Sequence, residues 1–281
     1  MKLTVVGCAG SYAGPESAAS CYLVQASDES GRVWNLILDL GSGSFGSLQR
    51  HIEPSELDAV AISHMHADHI ADITGLEVYR KYHPERAERI GAGPADRAEA
   101  LTVLGPSGIA RRVARLSASE DESSATPAGA LTGEPCTFRF VEWETATTYR
   151  IGPFTIEAFD AHHPIEAYSI RISGPSDSGA AEPVVLAFSG DTDDCAGVRA
   201  AASGADLFLC EAAFVSGRDD AIDGVHLTGQ RAGRIATDAG VRQLALTHIP
   251  AWNAPGIARD EARVEYAGPL SVVRPGDTFV L

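Results

Sequence analysis

Ala59-Val60-Ala61-Ile62-Ser63-His64-Met65-His66-Ala67-Asp68-His69 is an apolar run that ends in three histidines and an aspartate. Ala59 to Ser63 reads as a buried strand. Two histidines at i and i+2 of the extended segment that follows point the same way. Asp68 and His69 then turn into a helix and can face a second point. Imidazole nitrogen and carboxylate oxygen suit zinc, manganese or iron, so this one loop can serve two metal ions. The chain has nine histidines spread over its length, and chance does not readily place three of them so close together.

The same pattern recurs outward from this loop. Val33 to Leu38 ends at Asp39, Val184 to Ser189 at Gly190-Asp191, Leu207 to Cys210 at Glu211, and Leu244 to Thr247 at His248. Strands this apolar are buried on both faces, which calls for sheets covered by helices. In such folds catalytic groups gather beyond the strand ends, so these five endings are expected to share one cleft. Helices are expected at Ala71–Tyr82, Ile109–Leu116 and Thr228–Ala239. In the last, Ala232, Ile235, Ala236 and Ala239 fall on one face, Thr228 can cap the start and Gly240 can end it. Alternating strands and helices give an α/β class. Gly91–Pro94, Ser117–Pro135 and Ser173–Pro183 read as loops. Ser11–Cys21, a Gly- and Ser-rich turn, could line a pocket or simply join paired strands.

Composition narrows the function. The net charge of −16 disfavours a broad, non-specific grip on nucleic acid. No apolar run approaches the ~20 residues of a membrane span, and the first residues lack a signal-peptide core. A cytoplasmic location without membrane contact is the default. The five cysteines, Cys8, Cys21, Cys136, Cys195 and Cys210, are odd in number and scattered. They are expected to fill the interior for the most part, with no disulfide framework.

Taken in order, His64-x-His66-x-Asp68-His69, His163, Asp191 and His248 resemble the metallo-β-lactamase superfamily over nearly the whole chain. The resemblance implies an αββα sandwich in a single domain over 1–281, with metal ions at one edge of the sheets. It implies one ion held by His64, His66 and His163, a second by Asp68, His69 and His248, and Asp191 bridging both. His162 competes with His163 for the third motif. His163 is preferred because its His-Pro-x-Glu-Ala-Tyr context resembles that motif in related hydrolases. Asp39 would orient a ligand imidazole. Zinc is the first expectation for both ions, with manganese and iron as alternatives.

Leu209-Cys210-Glu211-Ala212-Ala213-Phe214 followed by His226-Leu227-Thr228 resembles the phosphodiesterase branch, which includes ribonuclease Z and bacterial cyclic-nucleotide phosphodiesterases. The resemblance implies that His226 is no metal ligand but the acid for the departing ribose oxygen, oriented by Glu211. Asp68 could accept a proton from the water. Hydrolysis would proceed by metal-hydroxide attack on phosphorus. Ribonuclease Z carries a basic, glycine-rich arm for tRNA. The long Ser117–Pro135 stretch is acidic instead, which favours a small nucleotide such as cAMP over tRNA. A ribonuclease Z-like nuclease and a glyoxalase II-like thioesterase are the alternatives. The superfamily resemblance also admits a homodimer.

Overall fold

The computed structural model describes residues 1–84, 100–117, 137–179 and 182–281. The elements of the first part of the chain are β1 (Lys2–Gly7), β2 (Ala9–Gly10), β3 (Cys21–Ser27), β4 (Val33–Leu38), α1 (Ser44–Leu48), β5 (Ala59–Ala61), α2 (Ala67–Ile70) and α3 (Ile73–Tyr82). Then come β6 (Leu101–Gly105), α4 (Ile109–Leu116), β7 (Phe138–Glu142), β8 (Thr148–Ile151), β9 (Phe154–Asp160) and β10 (Tyr168–Gly174). The last part holds β11 (Val184–Phe188), α5 (Ala196–Ala202), β12 (Leu207–Glu211), α6 (Gly229–Asp238), β13 (Leu244–Thr247), β14 (Ile249–Pro250), α7 (Pro255–Glu265), β15 (Leu270–Val272) and β16 (Thr278–Val280).

Among the described residues, one sheet has the order β16-β1-β3-β4-β5-β6-β7 and a second β15-β13-β12-β11-β10-β9-β8. The period-two alternation of strand side chains makes the layers. In β4, Leu36 and Leu38 face the space between the sheets, whereas Ile37 faces the helices that include α3 and α4. In β12, Leu207 and Leu209 face inward, whereas Phe208 and Cys210 pack with α5, α6 and α7. Each such side chain contributes roughly 1.5–3 kcal/mol by leaving water. Both faces are covered, so the strands read as unbroken apolar runs. The result is the expected αββα sandwich.

Pairing is parallel through β4, β5 and β6 and through β11, β12 and β13. The carboxyl ends of each set therefore emerge on one side, and Tyr168 N–H donates to the Ser63 carbonyl across the seam at 3.0 Å. Helix α6 begins as the pattern predicts, with the Thr228 side chain accepting from Arg231 N–H at 3.2 Å, and Gly240 adopts a left-handed conformation just beyond it.

Some boundaries differ from expectation. The helix expected over 71–82 starts at Ile73, preceded by the separate turn α2. Asp72 makes the break. Its carboxylate accepts from Phe45 N–H at 2.9 Å and its own N–H donates to the Leu40 carbonyl at 3.1 Å. The strand expected to reach Ser63 stops at Ala61, because Ser63 N–H is taken by the Asp39 carboxylate at 2.7 Å. Ser173 and Gly174 belong to β10 rather than to the loop expected at 173–183. The expected loop at 91–94, nearly all of that at 117–135, and Cys136 lie outside the described residues. Of the other cysteines, all free, Cys21 and Cys210 are buried and Cys8 and Cys195 half-buried.

Candidate metal centre

The strand ends converge as the sequence pattern requires. Asp39 follows β4 and His248 follows β13, both with positive φ (58° and 55°). Left-handed backbone is costly for residues with a Cβ and persists only where the surroundings impose it. Here it turns each side chain out of its strand and into the cleft. Close approach also restricts the neighbours. A Cβ on Gly41 would lie 1.9 Å from the Asp68 carbonyl oxygen, and one on Gly10 would lie 2.3 Å from that of His248.

Among the described residues, two histidine-rich groups of donors result, His64, His66 and His163 in one and Asp68, His69, Asp191 and His248 in the other. A third set joins Asp191 to Glu211 and His226, and the donor atoms of each lie within 4.8 Å of one another. His66 Nδ1 lies 3.0 Å from His64 Nε2 and 3.1 Å from His163 Nε2. Asp191 stands between the groups. Its carboxylate oxygens lie 3.2 Å from His248 Nε2, 3.3 Å from His69 Nε2 and 3.6 Å from His64 Nε2. His162 is in none of these. It is exposed, and its backbone carries its contacts, with Thr192 Oγ1 and Asp193 N.

The surroundings fix which ring nitrogen His64, His69 and His163 present. His69 Nδ1 lies 2.7 Å from Asp39 Oδ2 and His163 Nδ1 lies 2.9 Å from the Val225 carbonyl. Both partners only accept, so these nitrogens donate and leave Nε2 free to take a metal ion. Ser63 Oγ donates to Asp39 Oδ2 at 2.9 Å and so accepts from His64 Nδ1 at 3.1 Å. His248 Nδ1 meets Ser20 Oγ at 3.1 Å. Such outer contacts hold metal-ligating imidazoles in place.

Burial pushes His64 and His66 down, and His163 down to about 4. These rings are neutral at pH 7, as ligation requires. Burial opposes protonation of His69 as well, but the charges of Asp191 and Asp39 outweigh it and raise His69. A site that favours a proton there favours a cation too. Burial works against the ionised form of Asp68, yet His69 and His248 hold it down to about 2.

The residues fit divalent metal ions. His69 Nε2, His248 Nε2 and Asp191 Oδ1 are buried and lack any hydrogen-bond partner. Orphaned buried polar atoms are rare and costly, and three converging on one point are what a cation would satisfy. We expect Asp39→Asn to weaken metal affinity roughly 10–100-fold, as measured by competition with a chelator. An unchanged affinity would show that the His69 ring needs no support.

The third set contains a close pair, which reaches Asp191 at 3.9 Å from His226 Nδ1. His226 Nδ1 donates to Glu211 Oε1 at 2.9 Å, and Glu211 is fully buried. Glu211 is itself anchored by Thr192 N–H at 2.8 Å and Ala213 N–H at 3.2 Å. Burial pushes His226 down, but the Glu211 charge and hydrogen bond, with Asp191 beyond, lift it to about 9. Ser11, from the turn after β2, lines a cavity beside His226.

The model of a "Beta-lactamase superfamily domain" matches residues 35–249. An uncharacterized protein of Mycobacterium leprae is 38% identical over 281 residues, covering 99% of this chain and 88% of its own. The probable metallo-hydrolase YhfI of Bacillus subtilis is 27% identical, covering 98% of both chains. Its crystal structure superposes with a TM-score of 0.77, over 99% of this chain and 98% of its own, at 25% identity. Ribonuclease Z of Bacillus licheniformis is 26% identical, covering 73% of this chain and 74% of its own. With its αββα sandwich and the donor groups at one edge, the chain belongs to the beta-lactamase superfamily and is, in kind, a metallo-hydrolase.

Proposed function

We propose that the protein is a dinuclear metal-dependent phosphodiesterase that hydrolyses 3′,5′-cyclic nucleotides such as cAMP to the 5′-monophosphate. The observation that carries this reading is the His226–Glu211 pair, 2.9 Å apart and lying beyond the donor groups. Two divalent ions, with zinc as the first expectation, would be held by His64, His66 and His163 and by Asp68, His69 and His248, with Asp191 shared. When bound, such ions polarise a phosphoryl oxygen and acidify water.

The remaining chemistry belongs to the chain. A ribose alkoxide is a poor leaving group, so cleavage of its bond to phosphorus needs a proton. His226 is protonated at neutral pH, and with Nδ1 committed to Glu211 it offers the proton from Nε2. Glu211, tied on both oxygens, keeps the ring in that orientation. Asp68 is ionised and can accept a proton from the attacking water. A thioester releases a thiolate, which is stable without protonation, so a thioesterase would have little use for this pair.

The net charge of −16 favours a small nucleotide over a polyanion. Similarity to ribonuclease Z keeps tRNA 3′ processing as the second reading. Among the described residues no helix is long and apolar enough to cross a membrane. We take the cytoplasm as the place of action, and a homodimer as the form to test by sedimentation.

A panel assay on purified, metal-loaded protein decides between the readings. It compares cAMP, cGMP, a 2′,3′-cyclic nucleotide, bis(p-nitrophenyl) phosphate, a pre-tRNA and a glutathione thioester. We expect turnover of the 3′,5′-cyclic nucleotides above all others. Cleavage of pre-tRNA alone would favour the second reading, and no turnover of any phosphodiester would sink both. Elemental analysis identifies the metal.

A further inference from the structure

The two-stranded sheet of β2 and β14 is parallel, with Ala9 opposite Ile249 and Gly10 opposite Pro250. It begins one residue after His248. Two residues beyond its strands, Tyr12 and Trp252 stand side by side, with ring centroids 5.5 Å apart and planes tilted by 43°. Both are large aromatic side chains left in water, Tyr12 at 51% exposure and Trp252 at 57%.

Their turn is nevertheless firmly held. Asn253, next in sequence, is buried. Its N–H donates to the Pro250 carbonyl at 2.9 Å, its side-chain amide donates to the Ala213 carbonyl at 2.8 Å, and its Oδ1 accepts from Arg218 at 2.8 Å. The turn that carries Trp252 is thus tied through Asn253 to the segment that follows Glu211. Between them is a cavity of about 410 Å³ lined by His226, Phe214, Arg218 and Trp252. Phe214 meets the His226 ring edge-on at 5.0 Å. The volume is that of a small-molecule pocket.

We infer that Trp252, backed by Tyr12, is the platform on which the substrate's nucleobase stacks, and that it sets the preference for nucleotides over base-free phosphodiesters. This inference rests on the phosphodiesterase reading. If His226 protonates a ribose oxygen, the nucleoside occupies the space beyond His226, and that space is this cavity. An exposed indole offers a face to any base, and stacking of this kind tolerates every base identity. The platform therefore selects for the presence of a base and distinguishes purines from pyrimidines only by stacking strength.

The test is calorimetric titration of the metal-loaded protein with 5′-AMP, the proposed product, and with ribose 5-phosphate, which has no base. We expect 5′-AMP to bind the wild type more tightly than ribose 5-phosphate. Trp252→Ala should weaken 5′-AMP binding roughly 5–150-fold, the equivalent of one stacked base, leave ribose 5-phosphate unchanged, and be largely reversed in Trp252→Phe. Equal wild-type affinities for the two ligands, or equal 5′-AMP affinities in wild type and Trp252→Ala, would overturn the platform. Turnover of cAMP by the wild type tests the reaction separately. Base-dependent binding without turnover upholds the platform and overturns the reaction. Turnover with base-independent binding upholds the reaction and overturns the platform.

Discussion

His226→Ala is expected to lower kcat on a cyclic nucleotide by roughly 10²–10⁴-fold, the usual contribution of a positioned acid, while metal content stays at the wild-type level. The separation follows from geometry, since His226 Nδ1 is committed to Glu211 and the ring belongs to neither of the two histidine-rich groups, though it joins Asp191 and Glu211 in a third. Leaving-group chemistry sharpens the test. The p-nitrophenolate released from bis(p-nitrophenyl) phosphate is stable without protonation, so the defect should shrink markedly on that substrate. Metal analysis and parallel kinetics on the two substrates check both statements. A variant with full activity on the cyclic nucleotide would remove the leaving-group acid from the mechanism. An equal loss on both substrates would assign His226 to binding or to structure.

Asp191→Ala should have the larger effect on the centre itself. Burial opposes ionisation of Asp191, but His248, His69 and His64 around it hold the carboxyl well below its usual range. It is therefore a committed anion among three imidazoles. Its removal leaves His69 Nε2 and His248 Nε2 converging with no shared carboxylate between them. The loss of metal affinity should exceed the ~10–100-fold typical of losing a residue that merely supports a ligand, and hydrolysis should fall with it. Asp191→Asn keeps the oxygen and loses the charge, so it should fall between the two. Metal-to-protein ratios after dialysis are the readout. Full retention of two ions per chain in Asp191→Ala would contradict a bridging role.

The sequence exposes what side-chain identity and periodicity encode. The five strand endings Asp39, His64, Asp191, Glu211 and His248 could be read because an apolar run stops at a polar residue each time. The choice of His163 over His162 rested on context; the structure places the His163 ring 3.1 Å from His66 and leaves His162 exposed. Apart from Asp39 and Glu211, the supports were not readable. Val225 holds His163 through its carbonyl and Thr192 holds Glu211 through its N–H, and every residue owns such groups. Ser20 and Ser63 act on His248 and His64, yet a single serine carries no pattern. The break at Asp72 was hidden for a similar reason. Its carboxylate is spent on the backbone of Phe45, far away in sequence, and no local propensity records that.

The seam between the two sheets has a consequence for how the protein comes to exist. Asp39 and the His64–His69 loop come from the first sheet, whereas Asp191 and His248 come from the second. Neither half holds the Asp68, His69, Asp191 and His248 group by itself. An ion bound there favours only the docked arrangement, and ligands that bind the native state alone stabilise it by mass action, about 2.7 kcal/mol at a hundredfold excess over Kd. Metal supply and the folded population are thereby coupled. In a metal-poor cell catalytic turnover would fall at once with the ions, and the folded population would fall as well by whatever stabilisation they supply.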